Sequence, residues 1–422
     1  GLDTVAFAEF NDFLVQNFPL VDSLLEHETI NEFSHVFEWK GKDESLEPIL
    51  LIAHLDVVPI ATETAWHEPP FSGKVKEGYL WGRGSLDDKL NVVGILEAVE
   101  WMLENQYHPQ RSVYLAFGHD EEIGGAKGAQ AMAAKFLEEG LRFSYVLDEG
   151  MIILEEAFPG LEPPVAFIGL AEKGYTSMKL VVDVGEGGHS SMPPAMTAIG
   201  ALGKAIADLE ADPFEGSVDG IAGMTFDYIG PELPFLQKVV FANRWLFEGL
   251  LKRQLSKAKT TNALIRTTTA PTIIHGGVKD NVLPSTAEAT INFRIKPGET
   301  IETVTERVNK VIDNPRVKVD LMDQVFSSDP SKVSPVESFG FNTLQHTIQE
   351  IFPEVVVSPT LVIAGTDSRH YEPVSDHIYR FMPVQLKTED LSRIHGSNER
   401  IHIDQYRKLV KFYIRLLENS TR

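Results

Sequence analysis

Between Pro48 and Leu147, short and wholly apolar runs alternate with stripes at helical spacing. Pro48 to Ala53 reads Pro-Ile-Leu-Leu-Ile-Ala, which predicts a strand buried on both faces. From Leu86 to Glu104, apolar residues at Leu90, Val93, Leu96, Val99 and Leu103 predict one buried helix face. Ser112 to Phe117 predicts a second buried strand. Gly124 and Gly125 loosen the chain ahead of an alanine-rich helix from Ala126 to Glu139, which Gly140 closes. Phe143 to Leu147 predicts a third strand. Strands that alternate with helices in this way predict an α/β unit with a mainly parallel sheet.

The pattern changes near Ala171. Tyr175 to Val184 alternates apolar with polar, as does Ala287 to Ile295, and Thr197 to Leu209 and Glu302 to Ile312 carry helical stripes. Alternation suits an antiparallel sheet with one wet face. From Phe339 onward the helix and apolar-strand style returns. Residues 1–171 and 325–422 are therefore expected to form the catalytic α/β domain, and residues 172–324 an inserted α+β domain. Phe226 to Leu255 is unusually rich in aromatic residues. Two expectations stand for it: a helical pair packed on the middle domain, or an apolar wall facing the substrate.

Composition narrows the chemistry. The chain of 422 residues carries 38 Lys and Arg against 61 Asp and Glu, a formal charge of -23. Such an excess argues against nucleic acid or an anionic membrane surface as partner, because both would be repelled. There is no cysteine, so disulfides and thiolate metal sites are excluded and any metal must be held by His, Asp and Glu. No apolar run reaches the length of a membrane span, and the start of the chain shows no signal-peptide pattern. A soluble protein is expected, cytoplasmic or exported after processing.

Acidic and histidine clusters sit just past the predicted strands. These are His54-Leu55-Asp56, Asp87-Asp88-Lys89, Asp120-Glu121-Glu122 and Asp148-Glu149. In open α/β sheets, ligands bind beyond the carboxyl ends of the strands. Each cluster alone is a weak signal, since acidic residues commonly complement a helix start. Gathered at one edge, however, these carboxylates would repel one another unless cations lay between them. Oxygen and nitrogen donors without thiolate suit zinc, and also cobalt or manganese. Two metals about 3.5–4 Å apart need a shared carboxylate. A second histidine must come from elsewhere, and His395, beside Gly396, is the leading candidate.

The blocks His54-Leu55-Asp56-Val57-Val58-Pro59, Gly82-Arg83-Gly84-Ser85-Leu86-Asp87-Asp88-Lys89 and Asp120-Glu121-Glu122-Ile123-Gly124-Gly125 resemble the signatures of one zinc family. It contains aminoacylase, carboxypeptidase S, acetylornithine deacetylase and succinyl-diaminopimelate desuccinylase. Gly188-His189-Ser190-Ser191, Asn281-Val282-Leu283-Pro284 and Arg393-Ile394-His395-Gly396 continue the likeness in family order. Trp245-Leu246-Phe247-Glu248, Arg266-Thr267-Thr268-Thr269-Ala270 and Gly365-Thr366-Asp367-Ser368-Arg369 resemble the carboxypeptidase S and N-fatty-acyl amino acid synthase/hydrolase branch. Family members usually carry a longer helical run before the first buried strand.

The resemblance implies roles residue by residue. Asp87 matches a carboxylate bridging two zinc ions. His54 and Asp148 match the further ligands of one ion, with Glu149 in reserve, and Glu122 and His395 match those of the other. Glu121 matches the general base, and Asp56 the carboxylate that orients His54. His189 matches a middle-domain histidine that reaches the substrate carbonyl, often across a homodimer. Arg294 and Asn281 match positions that bind the substrate's carboxylate and backbone, with Arg369 sharing that work. The inserted domain is implied to act as lid or dimerisation platform. Co²⁺ or Mn²⁺ would substitute for the two Zn²⁺ per chain.

Three activities are in view. The first is amide hydrolysis of N-acyl amino acids, long-chain ones included. The second is carboxypeptidase or dipeptidase action on short peptides. The third is a non-catalytic metal-binding scaffold, whose mark would be a lost ligand or base; none is lost here. The substrate is expected to be a small molecule.

Overall fold

The computed structural model describes residues 3–60, 62–322 and 326–422. The boundary expected between 324 and 325 falls outside these residues. In chain order the strands used below are β1 (Glu26–Ile30), β2 (Ser34–Trp39), β3 (Ile49–His54), β4 (Val113–Gly118), β5 (Tyr145–Asp148), β6 (Ile153–Leu154) and β7 (Val165–Glu172). There follow β8 (Gly174–Asp183), β9 (Thr268–Gly276), β10 (Thr286–Ile295), β11 (Val317–Leu321), β12 (Val356–Val362), β13 (Ile378–Arg380) and β14 (Gln385–Leu386).

The large sheet runs β1-β2-β4-β3-β5-β13-β7-β6-β14, with β12 paired to β7. Its centre is parallel: β3 pairs with both β4 and β5, and β5 with β13. Every residue of β3 and β4 is buried, as their unbroken apolar runs require. The helix Lys89–Glu104 covers one face through Leu90, Ile95, Leu96 and Val99. Gly94 allows close packing there, because a Cβ on it would meet the Leu409 side chain at 2.0 Å. Antiparallel pairing enters at the β1–β2 hairpin and where β13 and β6 meet β7.

The small sheet is wholly antiparallel, in the order β9-β10-β8-β11. Along β10, buried and half-buried positions alternate, and its buried face packs with the helices Ala198–Ala211 and Ile301–Ile312 into a separate core. Thus the change of style near Ala171 coincides with the passage from β7 in one sheet to β8 in the other. The aromatic stretch differs from both expectations. Helices between Gly220 and Ile265 place Phe226, Ile229, Leu251 and Leu255 in the large sheet's core, not the small one. Among the described residues no helix is long and apolar enough to cross a membrane.

Candidate active site

Parallel pairing puts the ends of β3, β4 and β5 at one edge, so His54, the turn after Gly118, and Asp148-Glu149 emerge together. Asp87 arrives from the loop before the helix Lys89–Glu104. Its Oδ1 lies 3.0 Å from His54 Nε2 and its Oδ2 lies 2.8 Å from His395 Nε2. One carboxylate therefore faces two imidazoles. Glu149 Oε1 lies 3.5 Å from His54 Nε2, and Glu122 Oε2 lies 3.5 Å from His395 Nε2. The ligand atoms of His54, Asp87 and Glu149 form one group with all separations within 4.8 Å, and those of Asp87, Glu122 and His395 form another. His54, Glu121 and Glu122 form a third.

Asp148 is not in these groups, and here the structure departs from the expected set. Its Oδ2 accepts from Thr366 Oγ1 at 2.6 Å and from the Ser368 amide at 2.9 Å, while Oδ1 accepts from the Glu149 amide. Asp148 ends β5 with its side chain tied into the 366–368 loop, and the next residue, Glu149, faces His54 instead. The reserve position is the one that joins the cluster.

The surrounding residues hold this geometry. Asp56 accepts from the Glu121 amide at 3.1 Å and the Glu122 amide at 3.0 Å, and its carboxylate lies 3.3 Å from His54 Nδ1. It thereby orients a candidate ligand and anchors the Glu121–Ile123 turn together. Glu399, not singled out from the sequence, is fully buried and accepts from Arg83 at 2.5 Å, from the Leu86 amide at 2.7 Å and from the Asp87 amide at 3.2 Å. Arg83 also donates to the carbonyls of His395 and Gly396. This pair locks the Asp87 loop to the His395 loop. The only sequence signal was Arg83 within its glycine-flanked block, with Glu399 four residues past His395. His395 itself adopts φ 59°, and a side chain at Gly396 would sit 2.1 Å from the Ser392 carbonyl oxygen.

The electrostatics are those of carboxylates crowded out of water. Burial, and then Glu149 against the opposing pull of His54, push Glu121 up to about 10. Burial and Asp87 push Glu149 up to about 7. Burial would raise Asp87 too, but hydrogen bonds from His395 and His54 hold it below the usual carboxylate range. Glu122 Oε1 is buried without a partner. A divalent cation held by Asp87, Glu122 and His395 would give Glu122 a positive partner, and one beside His54, Asp87 and Glu149 would relieve the remaining repulsion, so the donor set fits metal.

A cleft of about 750 Å³ opens beside the cluster, and Glu121, Glu122, His395, Arg294 and Arg369 all line it. Arg294 stacks on Tyr175 at 4.5 Å and Arg369 on Phe326 at 4.4 Å. Glu172 and Lys173, at the passage between the sheets, also line it. Glu172 Oε1 accepts from Thr366, Ser368 and Arg380 and so shapes the loop that carries Arg369. Burial pushes Lys173 down to about 7, and its Nζ donates to the Arg266 carbonyl. His189 and Asn281 lie elsewhere. His189 is exposed on a two-residue strand pair with Val282-Leu283, bonded to Ser191 Oγ at 2.8 Å, and the Asn281 carbonyl accepts from the Ser190 amide.

The model of Peptidase family M20/M25/M40 matches residues 50–419, nearly the whole chain. The chain belongs to this family. It is a hydrolase of the metallopeptidase type. It is 45% identical over 98% of its length to probable carboxypeptidase S-like 2 of Dictyostelium discoideum, covering 79% of that protein. It is 43% identical over 99% of its length to N-fatty-acyl-amino acid synthase/hydrolase PM20D1 of Xenopus tropicalis, covering 81% of it. The M20 family metallo-carboxypeptidase Sso-CP2 of Sulfolobus solfataricus shares the fold, with a TM-score of 0.69 at 19% identity over 97% of this chain and 94% of that one.

Proposed function

We propose that this M20 hydrolase cleaves the amide bond of N-acyl amino acids, long-chain acyl groups included. The observation that carries the reading is one cleft lined both by Glu121 with Glu122 and His395 of the second ligand group and by the two arginines, Arg294 and Arg369. A free α-carboxylate suits the planar fork of an arginine, which binds two oxygens at once. His54, Asp87 and Glu149 would hold one Zn²⁺ and Asp87, Glu122 and His395 the second, with Co²⁺ or Mn²⁺ able to substitute. When bound, such a pair polarises the scissile carbonyl and makes water a competent nucleophile near neutral pH.

The chain's own residues do the rest. Arg294 and Arg369 grip the carboxylate and set the register of the amide against the cluster. Glu121 takes a proton from the attacking water and returns it to the leaving nitrogen, as a general base and then acid. Asp56 fixes the turn that aims Glu121. His189 would donate to the developing oxyanion, a contribution of roughly 2.7–4 kcal/mol for a well-placed donor, with Asn281 beside it holding the substrate backbone. Both are exposed in their own chain, so we assign them to the cleft of a second copy. The antiparallel sheet with the helices Ala198–Ala211 and Ile301–Ile312 would then serve as lid and dimerisation unit, while the helices between Gly220 and Ile265 stay with the large core. The exposed edge strand β9, with Ile273 and Ile274 half or more exposed, supports pairing of copies.

The competing reading is carboxypeptidase or dipeptidase action on short peptides. The purified enzyme should be given a long-chain acyl amino acid and a blocked dipeptide at equal concentration. Turnover of the acyl amino acid is expected; turnover of the dipeptide alone would transfer the assignment to the second reading.

A further inference from the structure

Two consecutive helices, Phe235–Ala242 and Arg244–Leu255, turn large apolar side chains outward. Phe235 is 76% exposed, Leu236 77%, Trp245 78%, Leu246 61% and Leu250 58%. Leu236 and Leu250 share an apolar groove of about 480 Å³ between the helices, lined also by Val240 and Leu251, and Phe235, Trp245 and Leu246 are their exposed neighbours along the same two helices. The first helix meets the large core through Val240 and Phe241 and the second through Phe247, Leu251 and Leu255, so the outer faces are not needed to hold the fold. Exposed side chains of this size in one patch mark an interaction surface.

The charge around the patch indicates what covers it. From Phe235 to Lys259 the chain has Lys238, Arg244, Lys252, Arg253, Lys257 and Lys259 against Glu248 alone, in a molecule of net charge -23. Arg244 is paired with Asp227, and Lys252 with Glu215 and Glu248. Lys238, Arg253, Lys257 and Lys259 are exposed on these helices or within the few residues that follow them, with Glu232 as an acidic neighbour in the chain. Screening limits exposed charges to a range of about 8 Å at physiological salt. These cations therefore act locally, and the repulsion expected from the net charge does not govern this face.

We propose that this helical pair docks the enzyme on an anionic lipid surface. Trp245, Phe235 and their apolar neighbours would enter the boundary between headgroups and acyl chains, while these four cations contact lipid phosphates. Amphipathic helices with Trp, Phe and Leu on one side and Lys and Arg beside them bind membranes in this manner. The patch is separate from the catalytic cleft, so the proposal does not rest on the substrate assignment.

The test is co-sedimentation of the full chain with vesicles of phosphatidylcholine containing about a third phosphatidylglycerol, alongside vesicles of phosphatidylcholine alone. Binding to the anionic vesicles is expected, weakened by salt, with a blue shift of tryptophan emission that Trp245→Phe removes. Trp245→Ser combined with Leu246→Ser should lower the partition constant about a hundredfold, roughly a factor of ten for each large apolar side chain kept in water. Lys238→Glu with Arg253→Glu should abolish the preference for anionic vesicles. Hydrolysis of a soluble short-acyl substrate should be unchanged in all three, which separates this result from any failure of the hydrolase reading. Absence of vesicle binding by the unsubstituted enzyme, or equal binding by the serine variant, overturns the proposal. So does light scattering that shows the serine variant breaking a lipid-free dimer, since the patch would then join two copies.

Discussion

The neighbouring acids Asp148 and Glu149 offer a sharp test of the proposed metal cluster, because their surroundings are opposite. Glu149→Gln removes a carboxylate that lies 3.5 Å from His54 Nε2 and shares a ligand group with His54 and Asp87. Its zinc affinity should fall by more than roughly the 10–100-fold that loss of a mere supporting partner costs. Its stability in chelator should be unchanged or higher, since burial and Asp87 already push this carboxyl up to about 7 and its charge is a burden without cations. Asp148→Asn should behave in reverse. Asp148 accepts three hydrogen bonds, from Thr366, Ser368 and the Glu149 amide. An amide there turns at least one N–H toward a donor, a loss of about 1–3 kcal/mol. Zinc affinity should drop only within the range for a supporting partner. Competition with a fluorescent zinc chelator reads the first axis, and denaturant unfolding in excess chelator reads the second. Were Asp148→Asn to lose zinc at normal stability while Glu149→Gln kept it, the ligand group drawn here would be wrong.

Other consequences follow from the same geometry. Glu121→Gln should retain two equivalents of metal by elemental analysis and lose turnover by about 10²–10⁴-fold, the usual range for a positioned proton-transfer group; near-normal turnover would remove Glu121 from the chemistry. Arg369→Ala and Arg294→Ala should each raise KM for an acyl amino acid, by roughly tenfold or more for a charge-assisted pair, and an α-amide substrate should erase that difference; equal loss on both substrates would mean that neither arginine reads the carboxylate. Acid should loosen the N-terminal region, where burial, aided by His27 and His119, pushes His35 down to about 4. An unfolded histidine takes a proton near 6.5 while the folded one resists until about 4, so stability is present above 6.5 and is lost as pH falls through that window. Between pH 7.5 and 5 this one residue accounts for about 2 kcal/mol, and His35→Gln should flatten the acid slope of a denaturation series by that amount; an unchanged slope would show that His35 does not resist protonation.

What the sequence disclosed, and what it hid, follows from the range over which each signal acts. The buried strands β3, β4 and β5 declare themselves because parallel pairing at the sheet centre leaves no wet face, and the alternation of β10 is as plain because one face is wet. The position of an acidic residue beyond such a strand is also local, and the structure gathers His54, Asp87 and Glu121-Glu122 at one edge. Which of Asp148 and Glu149 turns toward His54 is not local. It is decided by Thr366 and Ser368, more than two hundred residues away, which bind Asp148 and leave Glu149 to the cluster. Glu399 was hidden for the same reason: its worth lies in Arg83 and the Asp87 amide, neither near it in the chain.

The aromatic stretch carries this reasoning one step further. Composition explains Phe226 to Leu255 only by its average greasiness, and each expectation, a helical pair on the middle domain or a wall facing the substrate, gives the whole stretch a single neighbour. The structure divides it by helical phase. Phe226, Ile229, Leu251 and Leu255 are buried in the large core, whereas Phe235, Leu236, Trp245 and Leu246 face out. A helix can satisfy a core with one stripe, so apolar residues on the opposite stripe are surplus to folding. That surplus, with lysines near it along an otherwise acidic chain, is a property of faces and not of segments, which is why composition pointed to the right residues and gave them the wrong neighbours.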